Sequence, residues 1–369
     1  MTERERFNAL FSGRKPDRIP IYYFGTWHET KELWKKEGAD VPDVSVDYGP
    51  ELEGMDEDWE RGMWDCHGIV NMFPIVHGEN KILEETEDYR IVAYATGAVW
   101  QHSKQGASID HMIRPGLIWT RESWEKYKSY LDPCEPSRMA KDAEERIAKL
   151  AGRTRVATFM GGSLYGWLRD WMGVEGFSLL MYDDPALAKE MIGYMADYFI
   201  RLYRPFVKRC EFDFVYIFED CCGANGPLFS PAKFEELFED AYKKLIDFYK
   251  RECGIPFVLL DSDGYCDPLI PCWLRCGVDI LFPVEVGTWN QTPGKIREKF
   301  GDVAMFGGVD KHKIRLPERE LRTYLETLKG DVDAGRYLPV PDHRIPPDVT
   351  LSDMKKYIRI FNEVFNGAN

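Results

Sequence analysis

The chain lacks several features that would settle its class at once. No run of residues approaches the roughly 18 apolar positions of a membrane-spanning helix. The opening stretch, MTERERFNAL, is charged where a secretory leader is apolar. Basic residues are in short supply: 48 Lys and Arg stand against 62 Asp and Glu, a net charge of −14. That balance argues against a nucleic-acid or anionic-membrane surface and leaves small molecules and protein partners. The nine cysteines include no CxxC pair, and 369 residues, 44% of them hydrophobic, bury a core without disulfide staples. The expectation is a cytoplasmic protein with reduced thiols that contacts neither nucleic acid nor membrane. No GxGxxG loop, internal repeat, low-complexity tract or long linker is visible, which predicts one domain over residues 1–369 and disfavours a dinucleotide fold.

What the chain does have is alternation. Short apolar runs end in charged or glycine-bearing tips. Phe214–Phe218 runs into Glu219 and Asp220, and Phe257–Leu260 into Asp261, Ser262, Asp263 and Gly264. Ile280–Pro283 leads to Glu285, Val303–Phe306 to Gly307, Gly308 and Asp310, and Tyr337–Pro341 to Asp342 and His343. Amphipathic stretches of helical period lie between them. Ser230-Pro231 opens one, with Phe234, Leu237, Phe238, Tyr242, Leu245 and Ile246 on one face; Asp184-Pro185 opens another, striped by Leu187, Met191, Met195, Phe199 and Leu202. Fully apolar strands alternating with helices are the signature of parallel βα units. Polar tips after every strand favour a closed barrel over an open sheet, whose site gathers at one switch point. Ile19–Phe24 and Arg155–Phe159 are earlier strand candidates; the second barrel strand has none. Lys81–Glu85, Tyr89–Tyr94 and Ala98–His102 alternate around a Thr96-Gly97 turn and predict a β-hairpin elaboration. The predicted architecture is α/β, a (β/α)8 TIM barrel with N-terminal helical and β-hairpin elaborations.

In such a barrel the residues after each strand converge on one pocket. Here that set is acidic: Glu219, Asp220, Asp261, Asp263, Glu285, Asp310 and Asp342, with His343 and Lys311 beside them. Like charges crowded at one mouth need a cation, a shared proton or a basic substrate group; the plainer reading is that many of them cap helices or meet Arg and Lys. Cys221 and Cys222 follow Glu219-Asp220 directly, and a thiolate among carboxylates is a soft ligand for zinc; the plainer reading is two buried thiols. The candidate metal ligands are therefore Glu219, Cys221, Cys222, Asp261, Glu285 and Asp310. Cys272 and Cys276, near the end of a helix, read as core, while Cys266 at its start stays open. Tyr22, Tyr23, Phe24, Trp27 and His28 cluster near the first strand, and Tyr165, Trp167 and Trp171 follow Phe159; aromatic walls suit a flat ring, and ordinary packing explains them equally.

The stretches RERFNALFSGRKPDRIPI, LRDWMGVEGFSLLMYDDP, FEDCCGANGPLFSPAKFEEL, LLDSDG, GVDILFPVEV, MFGGVDK and PVPDHRIPPDV together resemble the uroporphyrinogen decarboxylase superfamily, and within it the divergent branch that includes corrinoid-dependent methyltransferases. The resemblance spans nearly the whole chain and implies a (β/α)8 barrel with its site at the C-terminal face. True decarboxylases carry an arginine-bearing segment after the first strand to grip a polycarboxylate; here that segment is FGTWHET, Phe24 to Thr30, without arginine. The thiol-methylating members hold zinc with a His-x-Cys pair where this chain reads Asp261-Ser262-Asp263. What the resemblance then implies is an O-demethylase type of methyltransferase, passing a methyl group from a small methoxylated substrate to a corrinoid (cobalamin) protein. A phenol has a pKa of about 10, so its ether oxygen needs a proton or a Lewis acid as the C–O bond breaks. Glu219, Asp261, Asp263 and His343 are the candidates for that role; Trp27, His28 and Tyr165 would line a ring-binding wall, and Lys311 would orient a polar substituent. The alternatives are a metal-assisted lyase or hydrolase acting on a small polar substrate, and a non-catalytic ligand-binding barrel. A homodimer is a further expectation from the resemblance.

Overall fold

The structure, a computed structural model, describes residues 1–41, 52–56, 68–104 and 110–367. Helix Glu3–Phe11 opens the chain under a reciprocal cap, Thr2 accepting from Glu5 N while the Glu5 carboxylate accepts from Thr2 N. A second helix, His28–Lys36, follows. Next come four antiparallel strands in sequential order, β1 (Lys81–Glu85), β2 (Tyr89–Ala93), β3 (Val99–Ser103) and β4 (His111–Arg114). The predicted hairpin is there, with Gly97 at φ +96° in its turn. The fourth strand, His111–Arg114, lies outside that prediction.

The remaining strands build the barrel wall. β5 (Thr158–Gly162) and β6 (Phe214–Phe218) are followed by a two-residue ribbon, β7 (Cys222–Gly223) with β8 (Gly226–Pro227). Then come β9 (Phe257–Asp261), β10 (Ile280–Val284), β11 (Ala304–Val309) and β12 (Tyr337–Pro341). Six of these pair in parallel in the order β12-β11-β10-β9-β6-β5, with Phe214 beside Phe257 and Phe306 beside Leu338. Every residue of β9 to β12 is buried, because helices cover the outside and side chains fill the inside. The fold is the (β/α)8 barrel with N-terminal helical and β-hairpin elaborations.

Two strands differ from their predicted form for visible reasons. Ile19–Phe24 is buried but joins no ladder among the described residues: Ile19 N donates to Asn366 Oδ1 at 2.7 Å and Ile21 N to Asp56 Oδ2 at 2.9 Å, while Pro20 has no N–H to give. The wall closes just beyond, where Thr26 and Ile345 form a parallel bridge. β5 starts three residues later than predicted and continues through Gly161-Gly162; a Cβ on Gly161 would lie 2.2 Å from Val215 Cγ2, and Gly162 has φ +121°. Among the described residues no ladder represents the second barrel strand.

A column of rings runs up the interior. Phe7 and Phe11 of the first helix plug the lower end against Phe214, Phe257 and Phe306. Phe306 meets Tyr22 and Phe282, and Phe282 meets Phe24 and Tyr216. The predicted helix openings hold: Ser230 Oγ accepts from Lys233 N at 3.2 Å and the Asp184 carboxylate from Leu187 N at 3.0 Å. Cys272 and Cys276 are buried, as core residues. No helix among the described residues is long and apolar enough to cross a membrane.

Candidate active site

The aromatic column ends in a polar layer at the C-terminal ends of the strands. Asp261, the last residue of β9, is 5% exposed. The hydroxyl of Tyr216, projecting from β6, donates to its Oδ2. Burial pushes the Asp261 carboxyl well above the ordinary carboxylate range, and the neighbouring Asp263 charge adds to the effect; Tyr216 and Arg344 pull the other way. Two residues on, Asp263 Oδ2 lies 3.1 Å from His343 Nε2, just past the end of β12. The His343 ring sits edge-on to Phe24, centroids 5.6 Å apart, and beside Trp27 at 5.9 Å. Arg344 lays its guanidinium over both rings, 5.7 Å from Phe24 and 5.8 Å from Trp27. Trp27 is 41% exposed and presents the open side of this cluster. A buried carboxyl of raised proton affinity, an Asp–His pair and an aromatic platform thus meet at one place.

The expectation of an acidic mouth whose charges, Glu219, Asp261, Glu285 and Asp310 among them, lack partners in the chain is corrected. Nearly every carboxylate at the strand ends has a partner of its own. Glu219 turns inward, fully buried, and accepts from the amides of Leu164 (2.9 Å), Tyr165 (2.7 Å) and Gly166 (3.0 Å) and from Ser163 Oγ (3.1 Å). Those amides open helix Gly166–Met172, which has no side-chain cap of its own. Burial raises the Glu219 pKa, while the amides and Tyr242 favour its charged form. It serves the fold, and the assignment of a catalytic or metal-binding role to Glu219 is withdrawn.

Asp220 takes φ +42° and pairs with Arg169 at 2.7 Å. Glu285 accepts from Gly264 N at 2.9 Å and faces Lys311 Nζ at 3.4 Å, so Lys311 is held beside a carboxylate rather than projecting alone. Asp310 caps the short turn after β11 through His312 N at 3.0 Å. Asp342 gathers the amides of Val286 (2.9 Å), Gly287 (3.2 Å) and Lys311 (3.0 Å).

The zinc set is also corrected. Among the described residues no three His, Cys, Asp or Glu side chains are placed to hold one metal ion. Cys221 is buried, its Sγ 3.7 Å from Ser262 Oγ, and burial pushes its thiol well up. Cys222 is buried beside it, and Cys266 directs its Sγ to the Ser262 carbonyl at 3.3 Å. Glu219, Glu285 and Asp310 are each committed elsewhere, so Glu219, Cys221, Cys222, Asp261, Glu285 and Asp310 do not form a coordination sphere.

Of the aromatic wall, Trp27 stands at the site. His28, first residue of its helix, is exposed. Tyr165 is wholly buried among Phe177, Phe229 and Phe238, and its assignment to the ring-binding wall is withdrawn. Sequence reasoning missed Tyr216 and Arg344. The first lies inside an apolar run, where only a polar atom on an inward-facing ring hinted at it; the second follows His343 directly.

The uroporphyrinogen decarboxylase family profile matches residues 104–364, and the chain belongs to that family. No curated protein matches the sequence significantly. Among solved structures, a methyltransferase from Methanosarcina mazei is similar over 98% of this chain and 99% of its own, with a TM-score of 0.55 and 14% identity. That likeness is one of fold.

Proposed function

We propose that the chain is a methyltransferase that removes a methyl group from a small methoxylated, aromatic substrate and passes it to a corrinoid protein. The observation that carries this reading is the Asp261 carboxyl: buried, bonded to Tyr216, driven toward its protonated form, and set beside the Asp263–His343 pair under an exposed tryptophan. The fold shared with a methyltransferase supports the same reaction class. The methyl acceptor is a reduced corrinoid brought by a second protein. The chain's own residues bind, orient and protonate. Trp27 offers a face to the aromatic ring, and Arg344, stacked on it, fixes the depth of the platform. Asp261 holds a proton where the ether oxygen would rest and gives it up as the C–O bond breaks, so that a neutral phenol leaves. Tyr216 keeps the Asp261 carboxyl in one rotamer, and Asp263 orients His343 through Nε2 for proton return between turnovers.

The test is the cobalamin spectrum of a corrinoid carrier mixed with the purified chain and a panel of methoxyarenes and methylamines. Conversion of the reduced to the methylated spectrum with a methoxyarene is expected. No change across the panel would remove the reading, and turnover of a small polar substrate without corrinoid would favour the lyase or hydrolase instead.

A further inference from the structure

Asp220 holds a strained position at the tip of β6. Its φ of +42° lies in the left-handed region, which is sparsely populated for any residue with a Cβ and persists only where the surroundings enforce it. Here they do. The Asp220 amide donates to the Asp261 carbonyl at 3.2 Å, beside the Glu219 amide, which donates to the same oxygen at 2.8 Å. Arg169 Nη1 donates to the Asp220 carbonyl at 2.8 Å and to its Oδ2 at 2.7 Å, gripping main chain and side chain at once. The rest of that guanidinium is anchored on helix Gly166–Met172, where Nε and Nη2 reach Asp170 Oδ1 at 3.1 Å and 2.8 Å. A turn with no further duty would carry glycine or asparagine at this φ. Aspartate adds a negative charge that acts on Asp261. The charged and titratable groups around Asp261 are Asp263 on its own loop, backed by His343, then Tyr216 on β6, Asp220 at the tip of β6, and Arg344 past β12.

Resting on the role proposed above for Asp261, we infer that Asp220 and Arg169 form a positioning pair for that acid. Asp220 pins the main chain at Asp261 and sets a negative charge near its carboxyl, while Arg169 fixes Asp220 and tempers the charge. A negative neighbour favours the protonated carboxyl, so the pair sets the pH up to which Asp261 keeps its proton.

Two readouts test it: isotope-edited NMR of a chain labelled at its aspartate carboxyl carbons, in which the Asp261 signal is the one missing from Asp261→Asn, and kcat against pH in the corrinoid assay. Asp220→Asn tolerates the left-handed backbone and still accepts from Arg169, so it folds as wild type by circular dichroism. It is expected to lower the Asp261 midpoint, and the alkaline fall of kcat with it, by roughly half a pH unit or more. Arg169→Gln leaves the Asp220 charge uncompensated and moves both upward. Arg169→Lys keeps the charge without the two-pronged grip, so the midpoint stays and kcat falls about tenfold at unchanged KM. An Asp261 midpoint unmoved by Asp220→Asn, or moved in the same direction by Asp220→Asn and Arg169→Gln, overturns the inference. Midpoints that move as stated in a chain that transfers no methyl group uphold the pair and remove only the reaction proposed above.

Discussion

Replacing Asp261 by Asn separates the two roles that a buried acid plays. In the native fold the carboxyl is 5% exposed and its proton affinity is raised, first by burial and then by Asp263. In the unfolded chain it titrates near the ordinary value of about 3.9. Between that value and the native one the folded state holds a proton that the unfolded state has lost, so stability falls as pH rises through the window. Each unit of elevation costs about 1.4 kcal/mol once pH exceeds the native pKa. Asn cannot ionise, and its Oδ1 still accepts from Tyr216. Asp261→Asn is therefore expected to match wild type below pH ~4 and to become progressively more stable than wild type as pH rises above it. In a chain this long that is a rise of roughly 2 °C in Tm per kcal/mol. The same change removes the transferable proton and lowers methyl transfer by about 10²- to 10⁴-fold. Differential scanning fluorimetry from acid to neutral pH, run beside the corrinoid assay, gives both numbers. A variant with wild-type turnover, or with a Tm difference that ignores pH, would refute the reasoning.

Three further outcomes follow from the same geometry. His343→Gln breaks the pair with Asp263 and lowers kcat about a hundredfold or more, with little change in Tm, in steady-state assays. Glu219→Gln sets an amide NH2 against the backbone donors that open helix Gly166–Met172; it costs about 2–4 kcal/mol in denaturant unfolding and leaves the KM of the surviving enzyme alone. Trp27→Ala raises KM for aromatic donors about tenfold, roughly 1.4 kcal/mol, whereas Tyr165→Phe leaves KM unchanged because that ring never reaches the site; titration of donor concentration distinguishes them.

The barrel was legible because its signals are local. A buried parallel strand must be apolar on both faces, and a helix must open on an acceptor such as Ser230 or Asp184; both leave a mark within a few residues. The direction of a side chain at a strand end leaves none. Glu219 and Asp261 each close an apolar run, yet one accepts from the amides that open a neighbouring helix and the other from the Tyr216 hydroxyl. The clue to Glu219 lies 53 to 56 residues upstream, in the stretch Ser163-Leu164-Tyr165-Gly166, whose N-cap residue, Tyr165, offers its helix no side-chain acceptor. The acidic mouth fails for a similar reason. Counting carboxylates overlooks the amides of Val286, Gly287 and Lys311 and the Arg169 guanidinium that neutralise them one by one. Ile19–Phe24 reads as an ordinary strand because Asn366 and Asp56, which accept from its amides, are far away in sequence.

The claim that Asp261 protonates the departing oxygen is tested most directly by the leaving group. Single-turnover demethylation rates are measured for a series of aryl methyl ethers whose phenols span pKa values from about 7 to 10. With wild-type enzyme the rate is predicted to depend only weakly on the phenol, because the oxygen leaves protonated, and with Asp261→Asn to fall steeply as the phenol becomes more basic. Equal slopes for the two enzymes would contradict the account.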